Sequence, residues 1–185
     1  MELKEKCIAS HRKYDGIVVK IRVDDVEMPD GRKTLREVVE HPGGVVIAME
    51  DEDGRFFMVE QYRYAQQKVL LEFPAGKIEP DGSILDNARR ETMEETGYEG
   101  TEFEELGTFV PTGGYGQEVD YLFYTKKGKY AGQHLDSDEN LNVYKYTLEE
   151  IIDMIMNNEI IDGKTAMLAF RLWERKRRND RKKTG

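Results

Sequence analysis

The sequence predicts an α/β fold in which a mixed sheet packs against helices, preceded by an N-terminal antiparallel β extension. Three observations carry this expectation. Short β-rich runs recur at 17–23, 45–49, 55–63, 69–76, 104–110 and 117–125, separated by Gly, Pro and Asp turns. A helix bounded at both ends lies among them, from the cap Ser83 to Gly97. Two further helices follow the last strands, one opening at Thr147 and one at Asp162.

The elements follow in order. Ile17 to Val23 is a strand, Met28-Pro29-Asp30-Gly31-Arg32 is a turn, and Thr34 to Glu40 is the return strand of a hairpin. Residues 1–40 form this β extension, and 41–185 form the main domain. His41-Pro42-Gly43-Gly44 breaks the chain. Val45 to Met49 is a buried strand, joined by the turn 51–54 to the strand Arg55 to Arg63. Val69 to Gly76 is a strand running into the central loop.

Pro74, Gly76, Pro80, Asp81 and Gly82 keep that loop irregular. Ser83 with Asp86 forms a capping box, Gly97 is the left-handed C-cap, and Tyr98 packs back on the last turn. Glu104 to Val110 is a strand, Pro111 to Gly116 a glycine-rich loop, and Gln117 to Thr125 another strand. Lys126 to Gln133 reads as polar and mobile. Thr147-Leu148-Glu149-Glu150 is a capping box, and Met167, Leu168, Phe170 and Leu172 are the inner face of the last helix.

Composition narrows the function. One cysteine, Cys7, excludes an internal disulfide framework and fits a reducing, cytoplasmic setting. No apolar run is long enough to span a bilayer. The net charge is -9, but residues 171–185 carry eight Lys/Arg against two acids. Without aromatic interleaving, that basic end reads as a solvated helix end, not a nucleic-acid site. An acidic body that handles an anionic substrate needs bound cations.

Glu91, Glu94 and Glu95 stand at i, i+3 and i+4 on one helix face, towards its C-terminal end. Like charges at that spacing repel, and the helix dipole disfavours them there. A hard divalent cation would resolve both conflicts. Spacing alone leaves a solvated acidic face open.

The order of residues goes further. Gly76, Arg90-Glu91, Glu94-Glu95 and Gly97-Tyr98 resemble the Nudix box, G-x5-E-x7-R-E-U-x-E-E-x-G-U with U apolar. Seven fixed positions agree; Gly82 stands for the first Glu and Thr92 for the first U. The forms Leu71-Glu72-Phe73-Pro74-Ala75-Gly76-Lys77 and Val59-Glu60-Gln61-Tyr62-Arg63 resemble the ADP-ribose pyrophosphatase branch. The resemblance implies a Nudix α/β/α sandwich and a homodimer to which the extension contributes. It also implies hydrolysis of a nucleoside diphosphate linked to another group, with ADP-ribose as leading substrate. GDP-mannose is one alternative. A catalytically weakened nucleotide-binding sensor is another.

It implies the site residues too. Glu91, Glu95, Glu139 and the Ala75 carbonyl would hold Mg²⁺ or Mn²⁺, with Glu94 as ligand or acceptor and Arg90 orienting the carboxylates. Arg63 would hold the pyrophosphate or ribose, and Glu72 would meet the adenine. Tyr115 and Glu118 fall on the aromatic and acidic positions of a substrate loop, and Tyr14 would stack on a base, an ordinary packing role being equally open. In the acidic loop 136–143, Glu139 matches the metal-contacting Glu, whereas Ser137 occupies the general-base position. A serine hydroxyl does not take a proton from water near neutral pH. Asp136 or Asp138 is left for that task, or a cation-activated water reacts without a protein base.

Overall fold

A computed structural model describes residues 2–137 and 139–184. The chain forms two compact units, Met1–Gly43 with Val110–Val119, and Gly44–Phe109 with Asp120–Gly185.

The first unit is a three-stranded antiparallel sheet of β1 (Lys6–Asp15), β2 (Lys20–Glu27) and β3 (Lys33–Glu40), in the order β1-β2-β3. The expected hairpin is therefore a meander. The extra strand, Lys6-Cys7-Ile8-Ala9-Ser10-His11-Arg12-Lys13-Tyr14-Asp15, carries little apolar signal and is almost wholly exposed. Its pairing with β2 is supported by polar cross-strand contacts: Ser10 donates to Asp24 at 2.6 Å and His11 meets Asp25 at 2.9 Å, while Arg12 reaches Glu40 of β3 at 2.5 Å. The 110–119 segment lies along β3. The Val39 amide donates to the Tyr115 carbonyl at 2.8 Å, and Gln117 returns a bond to Val39 at 2.9 Å.

The second unit holds a seven-stranded mixed sheet. Its strands are β4 (Gly44–Glu50), β5 (Arg55–Arg63), β6 (Lys68–Glu72), β7 (Ala75–Lys77), β8 (Tyr98–Phe109), β9 (Asp120–Tyr130) and β10 (Leu141–Thr147). The order is β10-β5-β4-β9-β8, with β6 on β5 and β7 on β4; β4 and β9 run parallel, and the other pairs are antiparallel. Three helices complete it: α1 (Ile84–Thr96), α2 (Leu148–Met156) and α3 (Gly163–Thr184).

Strand β4 explains the layering. Its continuous apolar run is buried at every residue from Val45 to Met49, as a central strand covered on both faces requires. Alternation sends Val45 and Ile47 to a cluster with Ala88 of α1, and Val46 and Ala48 to one with Leu148, Ile151, Leu168 and Leu172 of α2 and α3. The sheet is thus sandwiched between α1 and the α2–α3 pair.

The helix caps form as the sequence predicts. Ser83 and Asp86 make the capping box of α1, Gly97 ends it at φ 79°, and Thr147 with Glu150 boxes α2. Four readings change. The run 69–76 breaks at Phe73-Pro74 into β6 and β7, because proline has no N–H for the ladder; its carbonyl accepts from the Ile47 amide at 2.8 Å instead. Lys126 to Tyr130 continues β9, pinned by Tyr130 against Tyr98 at 5.1 Å and by Lys127 over the Tyr98 ring. Tyr98 accordingly packs on Tyr130 and Phe57. The inner face of α3 is Thr165, Leu168, Ala169 and Leu172, at i, i+3, i+4 and i+7, while Met167 and Phe170 are turned outward.

Candidate active site

The site is built on α1 and the short strand β7 beside it. Glu91 and Glu95 lie one helical turn apart and are buried at 7% and 1% exposure. Gly76 explains how Glu91 fits. A Cβ at that position would fall 1.9 Å from the Glu91 carboxyl, so only a glycine lets strand and helix approach around the carboxylate. Glu95 is fixed from the same strand, its Oε2 accepting the Ala75 amide at 3.0 Å.

One guanidinium arranges the rest of the face. Arg90 donates from Nη1 to Glu94 at 2.7 Å and from Nη2 to Glu91 at 2.7 Å. The same Nη2 lies 3.9 Å from Glu79. The box pattern has this carboxylate at position 82, where the chain has Gly82, and no motif singles out Glu79. It stands three residues earlier in the loop and is held there by Asn87, whose Oδ1 accepts the Glu79 amide at 2.9 Å. Asn87 is itself buried and also donates to the Glu79 and Ser83 carbonyls. Its one sequence signal is a polar residue in the first turns of a capped helix. Thr92, in place of an apolar residue, is fully buried and satisfies itself by donating to the Ala88 carbonyl at 2.6 Å.

Electrostatics disfavour the charged form of both carboxylates. Burial pushes the Glu91 carboxyl up to about 7; Arg90 pulls it down and Glu94 pushes it up. Burial pushes Glu95 well above the carboxylate range, and the charge of Glu91 adds to this against the pull of the Ala75 amide. Two buried carboxylates with oxygen donors alone are the chemistry of a hard divalent cation. Among the described residues no three Asp, Glu, His or Cys side chains enclose an ion as they stand.

The segment after β9 is tied to the end of α1. The His134 amide donates to the Glu94 carbonyl at 3.1 Å, and the Gln133 side chain donates to the Glu95 carbonyl at 2.6 Å. This brings the charge of Glu139 to bear on Glu91 and Glu95. Glu139 itself is exposed, its Oε2 accepting the Asp136 amide at 3.3 Å. Ser137 is exposed on the same loop. Asp138 lies outside the described residues.

Arg63 and Glu72 form a bidentate pair. Arg63 donates from Nε and Nη2 to the two carboxylate oxygens, each at 2.7 Å. Glu72, at 1% exposure, thus finds within the chain the partner that its burial demands. Tyr14, Tyr115 and Glu118 belong to the first unit. Tyr14 and Tyr115 are more than half exposed, at 56% and 59%, and Glu118 lies 3.5 Å from His41.

The model of the NUDIX domain matches residues 40–166. The chain belongs to the Nudix family. This Nudix hydrolase is 39% identical over 168 residues to the methanol dehydrogenase activator of Bacillus methanolicus, covering 89% of this chain and 90% of that one. It is 34% identical over 166 residues to the ADP-ribose pyrophosphatase of Bacillus subtilis, with the same coverages. A GDP-mannose pyrophosphatase of Yersinia pestis matches at 30% over 144 residues, 72% of each chain. A solved ADP compounds hydrolase superposes with a TM-score of 0.83 at 17% identity, over 94% of this chain and 95% of that one. That last likeness establishes the α/β/α fold. No helix among the described residues is long and apolar enough to cross a membrane.

Proposed function

We propose that this Nudix pyrophosphohydrolase cleaves the pyrophosphate bond of ADP-ribose with water, giving AMP and ribose 5-phosphate. The observation that carries the reading is the buried Glu91–Glu95 pair, seated by Gly76 and the Ala75 amide and oriented by Arg90. A likeness spanning nine-tenths of an ADP-ribose pyrophosphatase supports this substrate over GDP-mannose, whose hydrolase matches over less of the chain.

The donors suit Mg²⁺ or Mn²⁺, held by Glu91, Glu95, Glu139 and the Ala75 carbonyl once Glu139 or Glu94 turns inward. Such a cation would offset the charge of the diphosphate and acidify the attacking water. Arg90 keeps Glu91 and Glu94 apart and aimed, and its contact to Glu79 does part of what a Glu at position 82 would do. Arg63 offers its free Nη1 edge to the diphosphate. Glu72, Tyr115, Glu118 and Tyr14 are the further substrate contacts proposed on the resemblance, and Asp136 or Asp138 is the proposed proton acceptor.

The reading includes a homodimer built on residues 1–40, working in the cytoplasm. Ile8, Ile17, Val18 and Leu35 of that region are exposed, and a small sheet gains stability by docking on a partner. Light scattering is expected to give twice the 21.5 kDa chain mass; a monomer at working concentration would remove the dimer from the reading.

Restoring the box glutamate with Gly82→Glu is expected to tighten the Mg²⁺ dependence only about two- to threefold, because Glu79 already faces Arg90. A Cβ at position 82 meets its first neighbour at 3.3 Å, on the Asp86 Cβ, a tight contact that a small shift of Asp86 must relieve. A metal titration shifted tenfold or more would show that Glu79 does not fill this role. By contrast, Gly76→Ala is expected to weaken the metal response at least about tenfold, the scale of losing a well-seated ligand, since the new methyl takes the space of the Glu91 carboxyl. An unchanged titration would sink that account of Gly76.

A second reading is favoured by two observations: Gly82 departs from the box and Ser137 from the general-base position of the acidic loop, and the relative at 39% identity is a methanol dehydrogenase activator. In it the chain binds a nucleotide and acts on a partner enzyme, with hydrolysis slow. The deciding experiment incubates the protein with Mg²⁺ and ADP-ribose, follows AMP release, and runs GDP-mannose and Glu95→Gln alongside. Fast, Glu95-dependent AMP release carries the enzyme reading. Binding of ADP-ribose without turnover of either compound would move the conclusion to the second.

A further inference from the structure

A second cluster of buried charge lies where α3 begins, against the β6–β7 turn. Glu72 accepts two bonds from Arg63, and its Oε2 is also 3.7 Å from the Lys164 ammonium. Lys164 in turn donates to Asp162 Oδ1 at 2.8 Å. The other oxygen of Asp162 accepts from the Thr165 amide at 2.9 Å and from its hydroxyl at 2.8 Å, capping α3. The Thr165 hydroxyl, fully buried, accepts the Phe73 amide at 2.9 Å. Two residues on, the Ala75 amide meets Glu95. Four consecutive residues, Glu72 to Ala75, therefore connect the first turn of α3 to the candidate metal site.

The cluster holds two cations and two anions, and Lys164 lies between the anions, 2.8 Å from Asp162 and 3.7 Å from Glu72. Arg63 alone would be neutralised by Glu72 and would present little positive field to a diphosphate. Lys164 shares its charge between Asp162, its nearer partner, and Glu72, so that Glu72 leans less on Arg63 than it would in an isolated pair; the four groups together are neutral. Burial lowers the affinity of Lys164 for its proton, but Asp162 and Glu72 together more than offset this, so the ammonium stays charged. Lys164 is one-quarter exposed, so its field is only partly screened by water.

We propose that Lys164 is a positioning residue for the diphosphate, acting through Glu72 to keep the Arg63 guanidinium oriented and its charge available to the substrate. Asp162 sets how much of the Lys164 charge reaches Glu72. The inference rests on the nucleoside-diphosphate reading of the site. It assigns a role to Asp162-Gly163-Lys164, which in the sequence are only the start of the last helix.

The test uses the full-length protein with ADP-ribose and Mg²⁺, measuring KM, kcat and Tm. Lys164→Gln is expected to raise KM about five- to tenfold with kcat within about twofold, as loss of substrate binding without loss of transition-state contacts requires. Lys164→Arg should restore KM to within about twofold. Asp162→Asn, which keeps a good helix cap, should leave KM unchanged or lower it. A merely structural role would lower Tm in Lys164→Gln and Asp162→Asn alike and leave KM unmoved, and that result overturns the proposal. So does a fall in kcat without a change in KM. If the wild-type chain turns over neither ADP-ribose nor GDP-mannose, the functional reading fails separately. The dissociation constant of ADP-ribose, measured by calorimetry in the same variants, then decides: the same order of affinities upholds the role of Lys164, and equal affinities overturn it.

Discussion

Glu95→Gln is expected to reduce ADP-ribose hydrolysis about 10²- to 10³-fold, the scale of removing one preorganised electrostatic group, while stabilising the metal-free protein at pH 8. The two effects share one cause. Glu95 is 1% exposed and takes a single amide bond from Ala75, so its charge is costly to bury. The amide of Gln keeps an oxygen for Ala75 and carries no charge.

The sign follows from linkage. Glu91 and Glu95 have folded-state pKa values raised above the ordinary carboxylate value, Glu91 to about 7. The folded protein therefore holds these protons more tightly than the unfolded chain. Stability is greatest below the ordinary value and falls as pH rises through the window up to the raised values. For Glu91, raised from 4.5 to about 7, the penalty above that window is on the order of 3 kcal/mol.

In chelator, the Tm of the wild-type chain should thus fall from pH 5 to pH 8, and Glu91→Gln or Glu95→Gln should flatten that fall. A Glu95→Gln protein less stable than wild type at pH 8 would show that the carboxylate is already paired in the metal-free state.

Arg63→Ala should be among the most destabilising single changes, by about 3 kcal/mol in urea unfolding, as for removal of one partner of a buried ion pair. Glu72 is left at 1% exposure with only Lys164 at 3.7 Å. The outward position of Arg63, 38% exposed on its side chain, and the nearness of Lys164 keep the loss from being larger. The double variant Arg63→Ala with Glu72→Gln should recover about half of it, because the charges it leaves, Lys164 and Asp162, are paired with each other. Lysine at position 63 should not substitute, since a point charge cannot make both bonds to Glu72. If Arg63→Ala costs less than about 1 kcal/mol, Lys164 alone suffices as the partner of Glu72 and the bidentate pair does not stabilise the fold.

The fold was largely legible because its signals are local. The run Val45-Val46-Ile47-Ala48-Met49 can only be a covered strand, and Ser83, Asp86 and Gly97 bound α1 by chemistry within four residues of each end. Strand β1 escaped because its stability comes from a hydrogen bond to β2 and an ion pair with β3, which no pattern within Lys6–Asp15 encodes. Lys126 to Tyr130 escaped for the same reason: polar residues held in a strand by Tyr98 and by pairing with β8. In α3, four apolar residues compete for one inward stripe, and packing against the sheet chose Leu168 and Leu172 with Ala169 over Met167 and Phe170.

At the site, the sequence by itself determined the donors: three glutamates on one helix face, an arginine beside them, and a glycine fourteen residues before Arg90, all in an order specific to the Nudix family. Only the tertiary structure decided their states. It buried Glu91 and Glu95 while leaving Glu139 outside, put Glu79 where Gly82 left a gap, and gave Glu72 to Arg63 and Lys164. The reason is physical. A residue type and its spacing set what a group can donate or accept, whereas burial and the nearest charge set whether it is ionised and whom it faces. Those depend on elements as far apart in the chain as β5 and α3.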